Sequence, residues 1–65
     1  MIERYKNKIV RINYLEQPTV SFRVQGKVLD VDADFVLIDD RIKGETVIAR
    51  KQITKIELVD THGNA

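Results

Sequence analysis

From Val20 to Val28 the chain sets Val20, Phe22, Val24, Gly26 and Val28 at every second position, and then Leu29 and Val31 move the apolar character onto the opposite parity. Alternation with a period of two marks a strand with one buried face. A change of phase within it demands a bend or a bulge. Gly26 stands just before the slip, where a missing side chain lets a strand coil sharply enough to curl a sheet toward a small barrel. Every strand paired to this one must curve with it.

The flanking sequence supplies those strands. Lys8–Leu15 (KIVRINYL) places Val10, Ile12 and Tyr14 on one face and Arg11 and Asn13 on the other, a first strand rich in β-branched and aromatic residues. Glu16, Gln17 and Pro18 interrupt the pattern as a hairpin loop, since proline removes a ladder donor and restricts its predecessor. Phe35–Ile38 (FVLI) is a continuous apolar run, short enough for a strand buried on both faces. DDRIKG is the next loop, Glu45–Arg50 the fourth strand, and Thr54–Val59 the fifth, with Ile56 and Leu58 inward and Lys55 and Glu57 in water. Lys51 and Gln52 leave only a very tight connection, and Ile53, out of phase with Ile56, fits a one-turn corner that plugs the barrel end. Residues 1–7 form a lead-in with at most one helical turn. Residues 60–65 have no apolar anchor and read as a frayed tail.

The expected fold is therefore all-β, one domain over residues 1–65: a five-stranded SH3-like barrel in which the curved second strand serves both halves of the sheet. An OB barrel needs a longer chain and a helix where DDRIKG stands. A chain of 65 residues without cysteine buries a small core and has neither disulfides nor thiolate metal sites, which is compatible with a reducing compartment. No membrane-length apolar run or signal-peptide pattern is present, so the expected location is cytoplasmic, without a membrane partner. Pairing edge strands between copies both stabilises a small sheet and hides its unpaired backbone, which points to a homo-oligomer.

Charge is segregated along the chain. Residues 1–27 hold six Lys/Arg against two acidic residues, whereas residues 28–45 hold two against six. A fold can turn that pattern into one phosphate-attracting face or into an ordinary mixed surface. Asp30, Asp32 and Asp34 have the spacing that opens a calcium loop, but Phe35 stands where the sharp turn needs glycine and Arg41 where a closing glutamate belongs. Local capping of backbone amides by these aspartates is the expectation. The lone histidine, His62, lies in the tail, and Ser21 has no base partner, so nucleophilic and metal-assisted chemistry lack their parts. The chain is read as a non-enzyme without cofactor, metal or small-molecule substrate.

Over residues 8–59 the sequence resembles the Sm-like superfamily, which includes the bacterial RNA chaperone Hfq. Gly26, Asp32 and the run Phe35–Ile38 match the outline of the first Sm motif, and Ile48, Ile53 and Ile56 the apolar spacing of the second. VQGKV, DFVLI and ARKQITKI carry the likeness to Hfq, with Arg50 on the family's lysine, Lys51 on its histidine and Gln52 on its alanine. Val36 replaces the base-holding Sm asparagine, and Ala49 with Arg50 replaces the Arg-Gly pair. The resemblance implies a ring sealed by the fourth strand of one subunit and the fifth of the next, with single-stranded RNA bound near the pore. RNA of this kind is held by stacking on aromatic or guanidinium planes and by cations on phosphates. Phe35 is then the stacking platform, Arg50, Lys51 and Gln52 the turn that meets RNA, and Arg11 and Arg23 rim contacts; core packing for Phe35 and a solvated turn for Arg50 and Lys51 are the plainer alternatives. The competing function is an SH3-like barrel that binds protein or serves as an assembly module without RNA, through its acidic 30–40 region.

Overall fold

A sequence that alternates apolar and polar residues becomes strand where one parity can be buried, as over Ile9–Gln17, and a short apolar run does so too, as over Phe35–Asp40; the described residues hold five strands. The computed structural model describes residues 2–59; the expected tail and His62 lie outside them. A 3₁₀ turn, Ile2–Tyr5, leads into β1 (Ile9–Gln17), β2 (Val20–Val31), β3 (Phe35–Asp40), β4 (Gly44–Ala49), a second 3₁₀ turn (Arg50–Gln52) and β5 (Ile53–Leu58). All pairings are antiparallel, in one sheet of order β4-β3-β2-β1-β5. None of the helical turns among the described residues is long and apolar enough to cross a membrane.

The lead-in is stitched to the sheet. Asn7 adopts φ 69°, a left-handed conformation that asparagine tolerates better than most residues. Its N–H donates to the Val28 carbonyl at 2.8 Å, and the Val28 N–H donates to the Lys8 carbonyl at 2.9 Å. β1 continues past the expected stop at Leu15, because a register shift between Leu15 and Gln17 absorbs Glu16 as a bulge. Reversal then needs only Pro18 and Thr19, with proline's fixed φ suited to the first turn position.

β2 bends where its sequence changes phase. Its register on β3 shifts between Val28 and Asp30, leaving Leu29 without a partner, so the bulge falls on the residue at which the apolar parity switches. Gly26 answers a separate demand. A Cβ placed there would lie 1.9 Å from the Asp39 carbonyl oxygen, so β3 approaches β2 too closely for any side chain.

Val10, Ile12, Tyr14, Val24, Val28, Val36, Ile38 and Ile48 form the buried core, with Ile2, Tyr5, Val31, Ile53 and Ile56 packed against it. β3 departs from the two-faced burial expected of FVLI. Val36 and Ile38 are fully buried, but Phe35 is 48% exposed and Leu37 half-buried. Opposite them on β4 stand Val47 and Ala49, and nothing among the described residues covers that outer side because the sheet is a single curled layer. At the other edge, Leu58 pairs opposite Val10 as an inward residue yet is 56% exposed. β4 and β5 are the two ends of the strand order, so among the described residues the sheet is not closed and its two edges keep unpaired backbone groups.

Candidate functional site

Antiparallel pairing places Phe35 opposite Ala49, which brings the β2–β3 turn beside the 3₁₀ turn Arg50–Gln52. The Arg50 N–H donates to the Asp34 carbonyl at 2.8 Å and joins the two turns. Within the acidic turn, Asp32 Oδ1 accepts from the Asp34 N–H at 2.8 Å and the Phe35 N–H at 2.7 Å, and Asp30 Oδ1 from the Val31 N–H at 2.9 Å. These aspartates cap backbone, as the failed calcium pattern led us to expect. The amides of Asp34 and Phe35, and more weakly the charge of Arg50, hold the Asp32 carboxyl below its ordinary pKa.

A shallow groove of about 320 Å³ opens where the turns meet, lined by Ala33, Asp34, Phe35, Ala49, Arg50 and Lys51. Three of the residues singled out from sequence, Phe35, Arg50 and Lys51, thus share one cavity. Phe35 is 48% exposed and stands outside the buried core, on the wall of this groove and of the adjoining depression lined by Asp30, Val31, Asp32, Leu37 and Val47. Gln52 lies just beyond, in a neighbouring depression that also includes Pro18, Lys51 and Thr54.

The two adjacent cations differ in availability. Arg50 Nη1 donates to Glu3 Oε2 at 2.9 Å and to the Asp32 carbonyl at 2.7 Å, with its side chain only 23% exposed. It fastens the N-terminal 3₁₀ turn to the acidic turn. Lys51 is exposed and makes no ion pair among the described residues. Nothing in the RKQ sequence separates these roles, since the partner of Arg50 comes from the start of the chain.

The two arginines expected at the rim, Arg11 and Arg23, stand apart from this groove. Arg11, half-buried on β1, donates from Nε to Gln25 Oε1 at 3.3 Å and pairs with Glu57 at 3.6 Å. Arg23 faces a second groove, of about 460 Å³, lined also by Val24, Gln25, Asp40, Arg41 and Ile42. Sequence reasoning missed Arg41 and Ile42 as surface features. The available signal was an isoleucine between two cations in a loop, where an apolar residue has no core to enter. No protein-family model, no curated protein and no solved structure matches this chain.

Proposed function

We propose that the chain is the subunit of an Sm-like homo-oligomeric ring that binds single-stranded RNA at the Phe35–Lys51 groove. The observation that carries this reading is the meeting of an exposed aromatic ring and an uncommitted lysine in one groove, beside the connection between the two free edge strands. An aromatic face and a cation are the pair that sequence-tolerant single-strand binding requires. In this reading β4 of one copy hydrogen-bonds to β5 of the next. That pairing satisfies both edges, completes an SH3-like barrel across each junction, covers Leu58, and repeats the groove around an axis. Repetition raises the avidity of a weak single site. Lys51 meets phosphate, Phe35 stacks on a base, Gln52 lies next to the path, and Arg50 holds the turn in shape.

Light scattering combined with mobility shifts of oligo-U and oligo-A at two salt concentrations tests the proposal. A defined oligomer whose RNA binding weakens with salt and is lost in Phe35→Ala, Lys51→Ala supports it; a stable monomer, or an oligomer indifferent to both oligonucleotides, refutes it. Commitment of Arg50 to Glu3 favours the second reading, an assembly module that binds protein alone, and the same titration separates the two.

A further inference from the structure

A groove of about 460 Å³ lies away from the proposed RNA path, between β2 and the tip of the β3–β4 hairpin. β3 separates the two sites by its five steps from Phe35 to Asp40, about 17 Å. The tip is rigidly made. Asp40, only 8% exposed, accepts from the Ile42 N–H at 3.0 Å and the Lys43 N–H at 2.8 Å, and Gly44 takes φ 81° to close the loop. Yet the side chains it displays are uncommitted. Ile42 is 93% exposed, and neither Arg41 nor Arg23 has an ion pair or side-chain hydrogen bond among the described residues.

Two unpaired guanidinium groups and a projecting aliphatic side chain on one fixed groove are complementary to carboxylates interspersed with apolar residues. Guanidinium forks match carboxylates in a bidentate manner. An apolar residue held out of the core by a capped turn stands ready for contact with a partner. No aromatic ring lines the groove, so nucleobases would have no platform beyond the guanidinium planes. The one acid present, Asp40, is occupied by the amides that shape the loop.

We propose that this groove docks an acidic, apolar-interspersed segment of a partner protein, with Arg23 and Arg41 taking its carboxylates and Ile42 packing on its apolar side chain. The proposal does not depend on RNA binding at the other end of the hairpin.

Fluorescence anisotropy with a labelled decapeptide of glutamates and leucines, beside its glutamine counterpart and labelled oligo-U, tests it on the full chain. The glutamate peptide is expected to bind in a salt-sensitive way and the glutamine peptide not at all. Arg23→Ala, Arg41→Ala is expected to weaken the glutamate peptide by about tenfold or more, Ile42→Ser by about threefold, and Lys51→Ala not at all. Should the double alanine variant fail to fold by circular dichroism, Arg23→Lys, Arg41→Lys replaces it. That variant keeps the charge but loses the fork, and a weakening of about threefold supports the proposal. Absence of salt-sensitive peptide binding, or unchanged binding in the variant that folds, overturns it. So does loss of oligo-U rather than peptide in that variant, which would assign the groove to nucleic acid.

Discussion

The two ends of the β3–β4 hairpin use the same device, an aspartate whose carboxylate receives the next amides of a turn: Asp32 takes Asp34 and Phe35, and Asp40 takes Ile42 and Lys43. They differ in what happens to the neighbouring arginine. Arg50 is bonded to Glu3 and the Asp32 carbonyl, whereas Arg41 is left open beside Arg23. A cation on a turn is thus structural at one end and available at the other. Charge in the sequence fixes neither role; the distance to a partner does.

The severest way to break this comparison is to remove the frame that spaces the two ends. Gly26→Ala drives a methyl group into the Asp39 carbonyl and forces β2 and β3 apart. Urea unfolding is expected to show a loss of about 3 kcal/mol or more, or no folded protein.

Next in size is the difference between the arginines themselves. Arg50→Ala cuts the link between the N-terminal turn and the acidic turn, with an expected loss of about 1 kcal/mol. Hydrogen exchange is expected to rise at Asn7 and Val28, whose backbone bonds tie the lead-in to β2. Arg41→Ala is expected to change stability by less than about 0.5 kcal/mol. Equal costs for the two would refute the contrast.

Acid sharpens the comparison between the aspartates. Both carboxyls titrate below their ordinary value in the folded chain: Asp32 through the amides of Asp34 and Phe35, Asp40 through those of Lys43 and Ile42, with burial opposing in each case. A lowered folded pKa means that stability is present above the unfolded value, about 4, and is lost as pH falls through the folded one. The urea midpoint is therefore expected to be level near neutrality and to fall below about pH 4. Asp40→Asn is expected to flatten that fall more than Asp32→Asn, because Asp40 is the more buried.

The smallest effect on stability and the most specific on function belongs to Lys51→Ala. The folded state is expected to be unaltered within about 0.5 kcal/mol, while oligo-U affinity falls by about tenfold and its salt dependence becomes shallower. Unchanged salt dependence would remove Lys51 from the RNA path.

Much of the architecture was legible because strand periodicity is local. The phase slip marked the bulge at Leu29, and the alternation in β1 gave Val10, Ile12 and Tyr14 as core. The short RKQ connection became a 3₁₀ turn. The reading of FVLI failed on one face, since a continuous apolar run does not reveal whether a second layer lies over it. Phe35, Arg50 and Lys51 proved to share a groove, but the anchoring of Arg50 by Glu3 and the placing of Arg23 and Arg41 on one groove bring together residues far apart in the chain. Contacts of that kind leave no local periodicity.

By itself, then, the sequence determined the strands, the bend and the capped turns, all set by side chains acting on backbone within a few residues. Tertiary structure decided which cations are bound and which are open, and it left β4 and β5 as unpaired edges instead of a closed seam. Those outcomes depend on where distant segments come to rest, which short-range propensity does not encode.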